Sequence, residues 1–453
     1  MIVVKFGGTS VGDAAAIDRA ADIVRARLPR GPLVVVSALA GTTNALLAIA
    51  EQAAQGQLIG AIRGVESLRD RHLAAAETLL GPSGASADVV GELGATFDEL
   101  ASLAEALSVL GHATPRSQDA IAAKGEVLSS LLVVAAFRSR GIDAELVDAT
   151  QVMITGEEHG KAEPRLERIA DAARRIFRPL LQRARVPVVG GFIGASEKGI
   201  VTTLGRGGSD YSASLFGAAL GAEAIEIWTD VDGMLTADPR VVPNAQLIER
   251  IRFDEASELA SFGAKVLHPN TIAPAVRLGI PVYVFNSRRP AGRGTQITFD
   301  APLRDVSAIA GKQGVTVIKV RSPRMLLAHG FLRTIFETFD RHRTSVDVVA
   351  TSEVSVSVTI DDAAHVDGLV VDLSQLGDVS VERNRGIVAI VGAGLGASSR
   401  AMSCALAALG ADNIRVHMLS LSASGINLTM LVDGEQVGGA MRALHLAFFG
   451  PPE

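Results

Sequence analysis

Short runs of β-branched residues alternate with longer stretches of helical spacing from residue 1 to about residue 300. Ile2–Phe6, Leu33–Ser37, Ala144–Asp148, Pro187–Gly191, Glu223–Thr229 and Pro281–Asn286 predict strands. Between them, Asp13–Leu28, a segment from about Asn44, Gln118–Gly141, Ser209–Gly221 and most of Phe253–Leu278 predict helices. Continuously apolar strands separated by helices indicate an α/β fold, a mostly parallel sheet covered on both faces in three αβα layers. Ligands of such sheets bind outside the carboxyl ends of the strands, where the glycine-rich segments of this chain fall.

The pattern changes after Ser287–Asp305, a stretch of charges interrupted by Pro290, Gly292, Gly294 and Pro302. Val315–Val320, Gly330–His342, Val346–Ala350, Val354–Ile360, Ala364–Leu376 and Val379–Glu382 then read as a βαββαβ unit. The order begins again with Gly386–Val391, Ser398–Leu409, Ile414–Leu421, Ile426–Val432 and Gln436–Phe448, but a final strand is missing. Val306–Ala310, ahead of the first unit, is the candidate to supply it. The expected organisation is therefore a domain over 1–298, a second over 312–384, and a third over 385–453 completed by 305–311.

Composition narrows the function. The chain has 453 residues, 48% apolar and 20% charged, which excludes wholesale disorder. A net charge of −6 argues against a broad nucleic-acid face. The single cysteine, Cys404, forms no internal disulfide, and a four-cysteine zinc site is impossible. No metal-ligand cluster is expected. The longest uncharged run, Gly31–Ala50, is broken by Pro32, Gly41 and Asn44, so it reads as strand, turn and helix and not as a membrane span. Met1 leads directly into a strand, no signal peptide is expected, and a cytoplasmic location is the default. The 46 glycines, set against 4% aromatics, suggest loops that bring backbone close to a ligand.

Four segments carry candidate chemistry. Lys5-Phe6-Gly7-Gly8-Thr9-Ser10 closes the first strand. Adjacent glycines admit a phosphate to backbone N–H groups, and Lys5 offers a charge to a transferring phosphoryl group. Alone, the segment is equally a tight turn. Thr203-Leu204-Gly205-Arg206-Gly207-Gly208-Ser209-Asp210 is more specific. Arg206 presents a planar fork for a carboxylate or phosphate, Ser209 or Asp210 suits a helix N-cap, and Asp210 can orient Lys5 or meet magnesium. Trp228-Thr229-Asp230-Val231-Asp232-Gly233 ends a strand where a nucleotide can be gripped. In Phe262-Gly263-Ala264-Lys265-Val266-Leu267-His268-Pro269, Lys265 is placed to bind phosphates, and His268 reads as structural. Glu126 stands in a mostly apolar helix, and Thr42-Thr43-Asn44 reads as a cap.

These segments in this order resemble the aspartate kinase family of the amino-acid kinase superfamily, together with Gly191-Phe192-Ile193-Gly194 and Asp238-Pro239-Arg240. The remainder resembles that family's tandem regulatory ACT domains, of ferredoxin-like βαββαβ form, including Thr351-Ser352-Glu353-Val354-Ser355. The resemblance implies phosphorylation of L-aspartate's side-chain carboxylate by ATP with Mg2+. It implies Lys5 and Asp210 as catalytic residues and Thr43, Glu126, Phe192, Arg206 and Ser209 as substrate-binding. It places Lys5, Gly7, Gly8, Thr229, Asp230, Arg240 and Lys265 on the nucleotide. Leu235 stands where related enzymes often carry an aromatic residue beside the adenine.

In the lysine-inhibited branch of that family, effector positions match Met325, Gly330, Phe331, Leu332, Ser345, Val346, Asp347, Ser352 and Glu353. The expected effector is L-lysine, or else L-threonine, and the expected assembly a homodimer or higher oligomer through ACT domains. No nucleic-acid or membrane partner is expected. Two rival readings are another amino-acid kinase, against which the tandem regulatory units argue, and a non-catalytic amino-acid sensor, against which Lys5 and Asp210 argue.

Overall fold

A computed structural model describes residues 1–81, 87–262, 271–326, 329–361 and 363–450. The chain divides into two units, residues 1–234 with 266–300, and residues 235–265 with 301–453.

The first unit is built on β1 (Ile2–Phe6), β2 (Pro32–Val36), β3 (Ala144–Val147), β5 (Val186–Gly190), β8 (Ala224–Thr229), β10 (Val282–Asn286) and β11 (Thr295–Ile297). Their order across the sheet is β3-β5-β2-β1-β8-β10-β11. All pairings are parallel except the last. Every residue of β1, β2 and β5 is buried, as continuous apolar strands between two helical layers require. One layer comprises α1 (Ala14–Arg25), α2 (Thr42–Ala54), α3 (Leu58–Leu80), α4 (Ala87–Leu110) and α6 (Lys124–Ser139). They share one core with Ile2, Val4, Phe6, Val34 and Val36. The opposite face carries α7 (Leu166–Gln182) and α8 (Gly208–Leu220), where Phe177 meets Phe216 edge-on with ring centroids 5.2 Å apart. A short sheet of β4 (Ile154–Thr155), β6 (Ile193–Ser196) and β7 (Val201–Thr203) lies beside the main one.

The expected helix over Gln118–Gly141 is nearly continuous. α5 (Pro115–Ala122) starts at Thr114, whose hydroxyl caps the Ser117 N–H with Pro115 at the first position, and α6 follows after Ala123. Although long and apolar enough to cross a membrane, this stretch is mostly buried within the fold, as the core helix of a globular domain is.

By its contacts the second unit also takes in a segment from within the first expected domain. Residues 235–265, taken from sequence as part of a continuous domain over 1–298, group with the C-terminal third. They contain β9 (Arg250–Ile251) and α9 (Phe253–Ser261). The physical reason is Glu255, which is fully buried. Its carboxylate accepts the Arg252 N–H at 3.1 Å, the Ser307 hydroxyl at 2.7 Å and the Ala393 N–H at 2.8 Å. A short helix α10 (Ala273–Arg277) returns the chain to the first unit.

The remaining strands form a continuous sheet, β13-β14-β12-β15-β17-β16, from β12 (Ala308–Arg321), β13 (Val349–Thr351), β14 (Ser355–Ile360), β15 (Asp378–Val391), β16 (Met418–Leu421) and β17 (Asn427–Asp433). Four strands expected as separate pieces are two long ones. β12 runs through Gly314 and β15 through Asn384, both at positive φ, and the ladder shifts register there without breaking. Ala308–Gly311 lies beside Val388–Val391, and Thr316–Arg321 between β14 and residues 378–382. Each half is thus one βαββαβ module. α11 (Phe331–Arg341) and α12 (Val366–Leu373) cover the first, and α13 (Ser399–Ala411) and α14 (Val437–Phe449) the second.

Because Glu255 joins three separate segments of this unit, Glu255→Ala leaves three buried donors unanswered. We expect it to lower stability by about 2–3 kcal/mol, read as a reduced urea midpoint.

Candidate active site

At the carboxyl ends of β1 and β2 opens a cleft of about 720 Å³, lined by Lys5, Gly8, Thr43, Glu126, Phe192, Arg206, Ser209 and Asp210 among others. Lys5 is the penultimate residue of β1, held between Val35 and Ile227. Its Nζ lies 2.6 Å from Asp210 Oδ1, and both side chains are largely buried. The turn after it is fixed by the Gly7 N–H, which donates to the Trp228 carbonyl at 2.9 Å.

Ser209 and Asp210 do not cap α8, contrary to the reading of the sequence. Gly207, at φ 73°, takes the cap position, and both residues fall in the first turn with their side chains released for the cleft. The approach of β5 to that turn requires Gly191. A Cβ there would stand 2.7 Å from Ser209 Cα. The next residue, Phe192, is left-handed at φ 65°, a conformation that costs a non-glycine residue about 1–2 kcal/mol. Hydrogen bonds hold it on both sides, its N–H to Ser212 Oγ and its carbonyl from the Leu204 N–H. Thr42-Thr43-Asn44 likewise forms the first turn of α2 and not its cap, which is Gly41. Thr43 and Asn44 face the cleft.

Glu126 is 3% exposed. Its Oε1 accepts the Ala38 N–H at 3.2 Å, and its Oε2 has no hydrogen-bond partner. Burial pushes its carboxyl up to about 8, opposed by that hydrogen bond, by a backbone hydrogen bond at Glu126 itself and by the charge of Lys5. A buried carboxylate on a cleft wall with one free oxygen is a receptor for a cation. Arg206, exposed on the glycine loop, offers the opposite charge in the same cleft.

The nucleotide candidates are more dispersed. Thr229 closes β8, and its hydroxyl meets Asp230 Oδ1 at 3.3 Å while its carbonyl takes the Ser287 N–H. Arg240 belongs to the second unit, where it grips Asp238 at 2.6 Å. Leu235 also belongs there, bridged to Leu247. Lys265 and His268 lie outside the described residues.

A single chain does not bring all of the expected effector residues together. Ser352, next to Glu353, is paired with Ser355 at the end where Ser322 bonds Val354, and the Met325 N–H reaches the Ser322 carbonyl there, while Gly330, Phe331 and Leu332 open α11, with Phe331 on the core that Met325 and Val346 also touch. Ser345, Val346 and Asp347 stand at the other end, the Asp347 N–H on the Thr359 carbonyl. Thr359 lies four positions along β14 from Ser355, on the order of 13 Å.

The sequence reading missed Asp119 and His159. Asp119 is 3% exposed and lines the same cleft. It sits seven positions before Glu126, but among Arg116, Ser117 and Gln118, so the apolar surroundings that mark Glu126 are absent there.

A lysine near the end of a parallel strand, backed by an aspartate and facing a cleft with an arginine and a buried carboxylate that has a free oxygen, defines a phosphotransferase acting on a small zwitterionic acid. Residues 1–286 match the amino acid kinase family and residues 388–448 the ACT domain. The lysine-sensitive aspartokinase 3 of Escherichia coli is 39% identical over 99% of both chains. The crystal structure of E. coli aspartokinase III with aspartate and ADP superposes with a TM-score of 0.86 at 38% identity, covering 99% of this chain and 100% of that one. The form of that enzyme with lysine and aspartate gives 0.82, at 38% identity and 99% coverage of each chain. The chain belongs to the amino acid kinase family and, within it, to the aspartokinases.

The state of Glu126 has a kinetic consequence. With the cleft empty, the carboxyl is protonated below pH of about 8, and a substrate ammonium must displace that proton. KM for the amino-acid substrate is therefore expected to fall as pH rises toward 8, by at most about tenfold per unit, and to level off above it. Glu126→Gln should raise KM and flatten the profile, as steady-state kinetics over that range will read.

Proposed function

We propose that the cleft holds L-aspartate against the γ-phosphoryl group of ATP and yields 4-phospho-L-aspartate and ADP, the first step toward lysine, threonine and methionine. The observation that carries this reading is the placement of the Lys5–Asp210 pair, Arg206 and the unpartnered Glu126 oxygen on one cleft. The β-carboxylate is ionised at neutral pH and needs no general base. Turnover then depends on position and on charge neutralisation. Arg206 takes the α-carboxylate, Glu126 the ammonium, and Thr43, Phe192 and Ser209 shape the wall between them. Lys5, with the Gly7-Gly8 turn, meets the transferring group, and Asp210 holds its ammonium in place. Thr229, Asp230, Arg240 and Lys265 are assigned to the nucleotide.

Among the described residues no group of three or more His, Cys, Asp or Glu side chains is placed to cage a metal. Mg2+ would come with the nucleotide phosphates, and Asp210 is the carboxylate that would meet it. Bound there, it adds positive charge at the phosphates.

The second unit is proposed to carry feedback control by L-lysine, with L-threonine the second choice. The split of the effector residues between two ends of one module is the argument for a homodimer. A second copy related by a two-fold axis brings the Ser345–Asp347 end of one chain to the Met325–Glu353 end of the other. β13 has no ladder partner on its outer side among the described residues, which suits such a seam.

An ADP-release assay tests the reaction: turnover with L-aspartate is expected, and turnover with glutamate but not aspartate would exclude it. Lys5→Ala should lower kcat by about 100-fold or more with little change in the aspartate KM, whereas Arg206→Ala should chiefly raise KM. For control, millimolar lysine should inhibit the wild-type enzyme and fail to inhibit Asp347→Asn. Equal rates with and without lysine and threonine, alone or together, would remove the regulatory assignment.

A further inference from the structure

The cleft contains a carboxylate that phosphoryl transfer does not use. Asp119, on α5, is buried and every contact it makes is with a donor. Its Oδ1 accepts the Thr203 hydroxyl at 2.6 Å and its Oδ2 the His159 ring at 2.7 Å, and both oxygens lie 3.1 Å from the Gly160 N–H. A carboxylate only accepts, so His159 Nδ1 carries the proton in this bond. The donors come from two segments distant in sequence, the loop 156–163 and the end of β7, and Asp119 fastens both.

These two segments lead to Arg206. Thr203 is three positions before it, and the Thr203 carbonyl receives the Ala162 N–H at 2.9 Å. The loop also touches Gly205 directly, since a Cβ on Gly205 would lie 2.8 Å from the Gly160 carbonyl oxygen. The position of Arg206 along the cleft is therefore set by the loop on which Gly205 rests and by the strand end from which the glycine turn departs. Asp119 holds both at once. The engaged donors also quench a negative charge that, left bare on this wall, would repel an acidic substrate.

We propose that Asp119, clamped by His159, is a positioning residue that fixes Arg206 relative to Lys5 and so sets the length of the dicarboxylic amino acid the cleft accepts. The inference rests on the assignment of Arg206 to the substrate α-carboxylate. With that anchor fixed, a substrate longer by one methylene places its reacting carboxylate off the phosphoryl group. With the clasp opened, the anchor moves and the discrimination weakens.

The test is steady-state kinetics on the full-length enzyme with aspartate and glutamate for Asp119→Ala, His159→Leu and His159→Gln, with unfolding midpoints measured in parallel. Asp119→Ala should raise the aspartate KM by about tenfold, change kcat and the ATP KM by less than about twofold, and lower the aspartate-over-glutamate preference in kcat/KM several-fold. His159→Leu should shift the same quantities in the same direction, and His159→Gln, which keeps an N–H donor, should restore them. A fall in kcat or in the unfolding midpoint with KM and preference unchanged would reduce Asp119 to a structural role and overturn the proposal. Equal impairment by Leu and Gln at position 159 would also overturn it. If Asp119→Ala does not fold, the two His159 variants decide. Should Arg206→Ala leave the aspartate KM unchanged, the underlying assignment fails separately.

Discussion

The ion pair between Lys5 and Asp210 joins the strand side of the cleft to its helix side, and much of the first unit serves to hold it. Two charges taken largely out of water gain little unless their geometry is fixed. Here each is fixed by a different kind of element. Lys5 is locked by strand neighbours on both sides, on a strand paired in register along its whole length. Asp210 is locked by the first turn of α8, whose start is set by Gly207 and whose distance from β5 is set by Gly191. The left-handed Phe192 is the cost of this close approach, offset by the hydrogen bonds that grip it from Ser212 and Leu204.

The buried strands β1, β2, β5, β8 and β10 were legible in the sequence because a strand covered on both faces must be a short apolar run. Glu126 carries a mark, a carboxylate inside a helix otherwise apolar, whereas Asp119 follows Arg116-Ser117-Gln118 and carries none, so only the structure shows what Asp119 holds. Its partners lie 40 and 84 positions away, beyond any local pattern. The small strands β6 and β7 left no mark either, since Ile193–Ser196 and Val201–Thr203 hold little besides glycine, alanine and hydroxyl residues. The helices α3 and α4 were periodic enough to find. Ala61, Val65, Leu68, His72, Ala76 and Leu79 mark one face of α3.

Two misreadings share a cause. Gly314 and the Arg383-Asn384-Arg385 run look like chain reversals, because glycine, asparagine and charge are turn signals. In the sheet they are bulges, positions where positive φ absorbs an extra residue while the ladder continues. Likewise, nothing local in residues 235–265 says that they belong with the C-terminal third. That is settled by Glu255, whose acceptors' donors arrive from positions 307 and 393.

The interleaving of the second unit bears on how such an enzyme can lose its control. The strand that completes the last module precedes the first, and residues 235–265 are folded into the same body. A shortened chain ending near residue 300 would retain Phe253 and Glu255 without the segments that bury them, and one lacking only the first module would have to rejoin two long strands in mid-ladder. The C-terminal modules are therefore not a detachable appendage that a gene could shed by truncation. Changes in what they do would arise by single substitutions that spare the shared sheet, and the first unit would carry them along even after they had fallen silent.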